Sequence, residues 1–92
     1  MIKRNLHYLK VGSLNCRGLK GEGGKAKKIH IAEDMKKYKL DILAIQETHT
    51  GGMDPEEIRT SDKKNIYMIY HSTATEKNRA GTAIIVRKGT NV

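Results

Sequence analysis

Residues 41–50 of the chain are Asp-Ile-Leu-Ala-Ile-Gln-Glu-Thr-His-Thr. The continuous apolar run over residues 42–45 predicts a short strand that is covered on both faces. Polar residues follow at once, and Glu47 brings a carboxylate to the end of that strand. Ligands of open α/β sheets bind at the carboxyl ends of strands, which favours a functional carboxylate. The alternative is a solvent-facing glutamate that ends a strand, and spacing alone favours it because surface glutamates are far commoner.

A second polar side chain stands at the end of another predicted strand. Alternating side chains predict a strand over residues 9–15, with Asn15 at its end and Arg17-Gly18-Leu19 after it. A side-chain amide at this place can orient a neighbouring carboxylate or contact a phosphate oxygen. It can equally close an Asx turn with its own loop, and from the residues alone the turn is favoured.

The remaining elements follow from periodicity and turn chemistry. Residues 25–38 predict an amphipathic helix whose apolar face consists of Ala26, Ile29, Ala32, Met35 and Tyr38. A strand, helix and strand in this order predict a right-handed crossover. Asp54-Pro55 predicts the start of a short helical turn. Residues 66–70 and 80–86 predict an antiparallel hairpin around a polar loop at 76–79.

Length and composition limit the classes of protein that are compatible with the chain. Its 92 residues, 37% of them hydrophobic, suffice for one small domain at most. Chains of this size bury only about 60–65% of their unfolded surface. One cysteine cannot form an internal disulfide, which favours a reducing intracellular compartment. The sequence contains no run of eighteen apolar residues, so no membrane span is predicted. Residues 1–8 predict a polar lead-in without a signal peptide.

The charge balance points to a polyanionic partner. Eighteen Lys and Arg against ten Asp and Glu give a net charge of +8. This excess favours nucleic acid or an anionic membrane surface, whereas the alternative is a solvated lysine-rich surface without a partner.

Three segments, in the same order, resemble the endonuclease/exonuclease/phosphatase superfamily, which has the deoxyribonuclease-I-like fold. Leu-Ala-Ile-Gln-Glu-Thr-His (43–49) resembles its (L/I)-Q-E-T motif. Val-Gly-Ser-Leu-Asn-Cys-Arg-Gly-Leu (11–19) resembles its first strand and N-x-x-G-L turn. Arg-Ala-Gly-Thr-Ala-Ile-Ile-Val (79–86) resembles a strand that reads A-G-(V/T)-A-I-(L/I)-V in retrotransposon members.

The resemblance implies an α/β fold, the N-terminal part of a four-layer α/β/β/α sandwich with about four strands and one main helix. This part would occupy residues 9–92, because the family's domain is more than twice as long as the chain. The resemblance also implies that Glu47 binds a catalytic Mg²⁺, with Mn²⁺ as an alternative. Asn15 would lie beside Glu47 as the second catalytic and metal-site residue.

The same resemblance implies a nucleic-acid substrate. Arg17 stands where apurinic/apyrimidinic repair endonucleases usually carry Asp, and it matches the N-x-R-G-L turn of non-LTR retrotransposon endonucleases. Arg17, His49 and Arg79 are therefore predicted to contact DNA. The family's Asp-x-Asn and Ser-Asp-His segments, its catalytic Asp and its catalytic Tyr have no match in the chain.

The function expected from the resemblance is a Mg²⁺-dependent endonuclease that hydrolyses DNA phosphodiester bonds, as in retrotransposon target-site nicking. The chain would be an incomplete fragment, inactive alone, with DNA, the rest of the nuclease domain and a reverse transcriptase as partners. Its expected location is intracellular and away from membranes, in the nucleus when it acts on DNA. The alternative is a small basic nucleic-acid-binding module without catalysis, which needs stacking aromatics from only four Tyr.

Overall fold

The computed structural model describes residues 9–19, 21–50, 52, 54–72 and 81–89. The elements in chain order are β1 (Val11–Asn15), α1 (Gly21–Tyr38), β2 (Ile42–Gln46), β3 (Glu56–Arg59), β4 (Ile66–His71) and β5 (Thr82–Arg87). The five strands form one mixed sheet, and α1 packs on it as a second layer. The α/β fold class is confirmed, with five strands in place of about four.

The sheet has the order β1-β2-β5-β4-β3. β1 and β2 are parallel, as expected for strands joined through α1, and the other three pairings are antiparallel. β1 and β2 therefore point the same way and end at the same edge. In their register Asn15 lies opposite Gln46, so Glu47 follows one residue beyond.

Helix α1 ends in a Schellman motif. Leu40 N–H donates to the Met35 carbonyl at 2.8 Å, and Lys39 N–H donates to the Lys36 carbonyl at 3.2 Å. Lys39 takes the left-handed conformation that the motif requires, with φ of 55°. Lys36 and Lys37 in the last turn also oppose the partial negative charge of the helix end.

The apolar face of α1 differs from the predicted one. Ile31, Ala32 and Met35 are buried, whereas Ile29 and Tyr38 remain 45% and 59% exposed. A strict three-residue spacing drifts by about 60° around a helix at each step, so its ends turn away from the core. The buried stripe follows a mixed three- and four-residue spacing instead.

Only one face of the sheet is covered within the described residues. Leu43, Ile45 and Ile85 are at most 5% exposed and pack against α1, while Ile84 on the opposite face is 49% exposed. Ile42 and Ala44 of β2 are half-buried on that opposite face, so the predicted cover on both faces of this strand is only partial among the described residues, where α1 is the one layer against the sheet. We call the uncovered side the outer face; it carries Val11, Ile42, Met68, Tyr70 and Ile84.

The helical turn predicted at Asp54-Pro55 is also wrong. The chain continues instead into the edge strand β3, which pairs with β4 from Glu56–Ile69 to Arg59–Ile66. Only Ile58 of this strand is buried. A strand with three charged residues of four has little apolar alternation, so its pairing with β4 determines it rather than its local pattern.

Two further expectations concern the loops and the membrane. The loop predicted at 76–79 lies outside the described residues. No helix of the described part is long and apolar enough to span a membrane.

Candidate metal-side site at the ends of β1 and β2

Asn15 and Glu47 meet at the common edge where β1 and β2 end. Asn15 Nδ2 donates a hydrogen bond to Glu47 Oε2. The amide is exposed and the glutamate is half-buried, so the pair faces the surface. The structure thus brings the two predicted site residues together, and the parallel register of the strands is the reason.

The other end of the Asn15 amide closes the turn that follows it. Arg17 N–H donates to Asn15 Oδ1 at 3.3 Å, which is the geometry of an Asx turn. The two interpretations of Asn15 are therefore not exclusive. One atom of the amide shapes its own turn while the other orients the Glu47 carboxylate.

Three residues at this edge have a left-handed backbone: φ is 54° at Arg17, 54° at Glu47 and 55° at His49. A non-glycine residue pays for this conformation, and such strain is concentrated at functional positions. Backbone hydrogen bonds hold the two loops in register. Cys16, Gly18 and Leu19 N–H donate to the carbonyls of Gln46, Glu47 and Thr48 at 3.0, 2.6 and 2.9 Å.

Lys27 supports the turn after β1 from the opposite side. Its ammonium donates to the backbone carbonyls of Cys16, Arg17 and Gly18 at 2.9, 3.1 and 3.2 Å. Lys27 lies outside the apolar face that the sequence predicts for α1, so its pattern indicates no more than a solvated side chain. No local signal could have distinguished it from its neighbours, because its acceptors are backbone atoms about ten residues away.

Gly81 lets the chain that leads into β5 pass close to the Glu47 loop. A Cβ at Gly81 would lie 2.4 Å from both Thr48 Oγ1 and the Thr50 carbonyl, and its φ is +73°. The Gly81 carbonyl also accepts a hydrogen bond from Thr48 N–H at 3.3 Å.

A polar cluster holds the loop that follows β2 at its far end, at Thr50. The fully buried His71 side chain contacts Thr50 Oγ1 through Nδ1 at 2.9 Å and Glu56 Oε1 through Nε2 at 3.0 Å. Lys28 contacts the same carboxylate oxygen at 2.9 Å. Partial burial raises the pKa of Glu56, but the hydrogen bonds and charges of Lys28 and His71 lower it further, so this pKa lies below its ordinary value. Sequence reasoning did not find this cluster.

The structure describes two of the three residues that are predicted to contact DNA. Arg17 and His49 are exposed on the two loops that meet at Asn15 and Glu47. The His49 ring lies beside Gly18, 3.4 Å from where a Cβ would stand. Arg79 lies outside the described residues. Contact with DNA stays a prediction for all three.

The donor set at this edge fits Mg²⁺ in one respect. Mg²⁺ is held by one or two carboxylates, and water and substrate phosphate complete its octahedron. Glu47 presents one half-buried carboxylate at the edge of the sheet. No group of three or more His, Cys, Asp or Glu able to hold a metal occurs among the described residues. One carboxylate is compatible with an open Mg²⁺ or Mn²⁺ site that water and substrate phosphate would complete. A ligand role for Asn15 stays a prediction.

The protein-family comparison supports the same interpretation. A model described as the endonuclease/exonuclease/phosphatase family matches residues 12–90. The chain belongs to the endonuclease/exonuclease/phosphatase family. Members of this family are hydrolases, nucleases and phosphatases, and typically depend on a divalent metal. No curated protein and no solved structure matches the chain. The family match spans both strand ends, so Asn15 and Glu47 lie within it.

Proposed function

We propose that the chain carries the metal-binding side of a Mg²⁺-dependent endonuclease that hydrolyses DNA phosphodiester bonds. The observation that carries this proposal is the hydrogen bond from the Asn15 amide to the Glu47 carboxylate at the shared end of β1 and β2. Within a hydrolase family that typically uses a divalent metal, an oriented carboxylate at this edge is the natural ligand.

Each residue has a definite task in this proposal. A bound Mg²⁺ supplies positive charge against the charge that develops on a phosphate under attack. Glu47 binds that ion, and Asn15 fixes the rotamer of Glu47 so that one carboxylate oxygen points away from the amide. Arg17 and His49 contact the flanking phosphates from the two exposed loops.

Charge and sequence favour DNA as the substrate. A net charge of +8 attracts a polyanion independently of the catalytic groups. The Asn-Cys-Arg-Gly-Leu turn and the 79–86 segment are similar to those of retrotransposon endonucleases, which nick a target site. We therefore propose this subgroup rather than a phosphatase of the same family, with a reverse transcriptase as a partner and the nucleus as the place of action.

The proposal assigns the general base to residues that the 92-residue sequence does not contain. No Asp-x-Asn or Ser-Asp-His segment occurs in it. Loss of general-base assistance costs typically about 10²–10⁴-fold in rate. We therefore expect no measurable cleavage by the 92 residues alone.

The test is plasmid nicking with Mg²⁺ by the full product of the gene, compared with its Glu47→Gln variant and with the 92-residue chain. Nicking by the full product that falls at least about 10²-fold in Glu47→Gln supports the proposal. Equal nicking by both would contradict it. Nicking by the 92-residue chain that disappears in Glu47→Gln would show that the chain is itself a complete enzyme.

The second candidate is a basic nucleic-acid-binding module without catalysis, which the net charge also favours. Such modules stack bases on neighbouring aromatic side chains. Of the described tyrosines, Tyr67 is buried, Tyr38 lies on α1 and Tyr70 lies on the outer face, so they form no common platform. DNA binding that weakens steeply with salt is expected under both proposals; metal-dependent nicking separates them.

A further inference from the structure

Three consecutive peptide groups of the turn after β1 are held between Lys27 and the candidate site. Their carbonyls, those of Cys16, Arg17 and Gly18, accept from the Lys27 ammonium at 2.9–3.2 Å. The N–H groups of the same three peptide units belong to Arg17, Gly18 and Leu19. These donate to Asn15 Oδ1, the Glu47 carbonyl and the Thr48 carbonyl at 3.3, 2.6 and 2.9 Å.

This arrangement polarises all three peptide groups in one direction. A cation on the carbonyl side draws electron density toward the oxygen and makes each N–H a stronger donor. The stronger donors face Asn15 and the Glu47 loop. Lys27 therefore acts on the candidate site through backbone dipoles, without touching Asn15 or Glu47 itself.

Three carbonyls converge on one point only because the turn has an unusual backbone. Arg17 has φ of 54° and Gly18 has φ of 103°, which turns successive carbonyls to the same side. Converging carbonyl oxygens repel one another unless a cation lies between them. Rings of backbone carbonyls bind monovalent cations in the same way elsewhere in proteins.

We propose that Lys27 is a positioning residue whose ammonium fills a monovalent-cation site formed by the carbonyls of residues 16–18. This cation keeps the turn closed and holds the Asn15 amide against the Glu47 carboxylate. The inference deepens the proposed function, since it concerns the orientation of the same metal-side pair, but its structural part stands on the contacts alone.

The neighbouring residue Lys28 provides a matched control. It lies on the same helix and carries the same charge, yet its ammonium binds Glu56 rather than the turn. Small cations have access to the Lys27 position, because a cleft of about 360 Å³ between β1 and α1 is lined by Asn15, Cys16 and Lys27. A variant without the lysine head group can therefore take up a replacement cation.

The experiment measures residue-resolved amide hydrogen exchange of the 92-residue chain at micromolar concentration. In Lys27→Met we expect the amides of Arg17, Gly18 and Leu19 to exchange about tenfold faster, since their hydrogen bonds lose the charge that strengthens them and the turn loses its cation. The amides of β4 and β5 keep their wild-type rates. In Lys28→Met the amides of residues 17–19 also keep their wild-type rates.

A rescue experiment separates cation binding from a general effect on folding. In Lys27→Ala, ammonium or methylammonium should slow the exchange of residues 17–19 again, whereas tetramethylammonium at equal ionic strength should not, because it is too large and has no N–H. Mn²⁺ affinity, measured by electron paramagnetic resonance, should fall about tenfold in Lys27→Met, as for other residues that orient metal ligands.

Unchanged exchange at residues 17–19 in both Lys27 variants overturns the inference, and so does an equal acceleration in Lys28→Met. If Lys27→Met accelerates exchange throughout the sheet, the Lys27→Ala rescue decides: restoration by ammonium supports the inference, and no restoration overturns it. If Lys27 behaves as expected but wild type binds no Mn²⁺, the proposed function fails while the cation site in the turn stands.

Discussion

Glu47 is a charged residue in a backbone conformation that suits glycine. Its φ of 54° follows directly after the regular strand β2. A left-handed conformation costs an L-residue roughly 1–2 kcal/mol, a cost that glycine does not have. The chain thus keeps a carboxylate at this position against local backbone preference, which is the pattern expected where function rather than stability selects the side chain.

This conflict gives a prediction that compares two substitutions. Glu47→Gly and Glu47→Ala both remove the carboxylate and its hydrogen bond from Asn15. We expect the glycine variant to be more stable than the alanine variant by about 1 kcal/mol, because only glycine relieves the positive φ. Denaturant unfolding measures the difference.

The same pair of substitutions at Gln46 is the control. Gln46 lies in a regular strand, where glycine is the less stable choice. If Glu47→Gly were no more stable than Glu47→Ala, the backbone strain inferred at Glu47 would not exist.

Sequence was sufficient to predict that Asn15 and Glu47 lie together at the strand ends, and insufficient to find the side chains that hold the neighbouring loops. Asn15 and Glu47 each follow a recognisable strand and lie within motifs. Lys27 binds backbone carbonyls, and His71 binds Thr50 and Glu56 from a distant strand. Such contacts depend on the three-dimensional meeting of segments and leave no local pattern.

Helix α1 begins among glycines, although glycine is a weak helix former. It starts at Gly21, four residues before the predicted Lys25. At position 24 only glycine fits, because a Cβ there would lie 2.0 Å from the Leu19 carbonyl oxygen. The helix start packs directly on the end of the turn that carries Asn15, and a side chain would separate them.

Two adjacent substitutions test this packing. Gly23→Ala should stabilise the chain by up to about 1 kcal/mol, because Gly23 is helical and a Cβ there meets nothing within 4 Å. Gly24→Ala should destabilise it despite the same gain in helix propensity. Thermal unfolding followed by circular dichroism measures both, and a stabilising Gly24→Ala would refute the close contact with Leu19.

The junction of β3, β4 and α1 should respond to acid. The folded-state pKa of Glu56 lies below its ordinary value of 4.5, so Glu56 contributes stability above that value and loses it as pH falls through the lower folded-state pKa. We expect Glu56→Gln to lower stability at pH 7 and to make it less dependent on pH below 4.5 than in wild type.

Urea unfolding at several pH values between 7 and 2 measures this dependence. Glu57→Gln is the control on the same strand, since Glu57 pairs with Arg59 at the surface, where solvent weakens the interaction. An equal effect of both substitutions would show that the cluster of Lys28, Glu56 and His71 has no special contribution.

The order of the helix and of four strands could be predicted, but β3 and the faces of the elements could not. The β1–α1–β2 unit and the pairing of β4 with β5 follow from local patterns and were found. Strand β3 was missed because its charged residues have no period of two. The apolar run of β2 suggested two covered faces, yet a run of this kind shows only that both faces tolerate apolar side chains, not that a partner layer lies on each.

At the scale of the whole molecule, the outer face carries several exposed apolar side chains among the residues that the structure describes. Val11, Tyr70 and Ile84 are 63%, 48% and 49% exposed on it. Contiguous exposed apolar surface on a sheet promotes association, and unpaired edge strands add to the risk. We expect the 92-residue chain to be weakly stable and to self-associate through this face.

Sedimentation velocity of two lysine variants tests this expectation. Ile84→Lys should reduce self-association. Ile29→Lys should not, because Ile29 is similarly exposed, at 45%, but lies on α1 on the other side of the sheet. A wild-type chain that remains monomeric and unfolds cooperatively would contradict the expectation.

We propose above all that Glu47, oriented by Asn15, binds a divalent metal. The most direct test adds Mn²⁺ to the dilute chain and records paramagnetic broadening of its amide resonances, in wild type and in Glu47→Gln. We expect broadening centred on residues 15–16 and 46–48 in wild type and its loss in Glu47→Gln, whose amide is similar in shape but lacks the negative charge. Broadening centred elsewhere, or broadening at these residues that persists in Glu47→Gln, would contradict it.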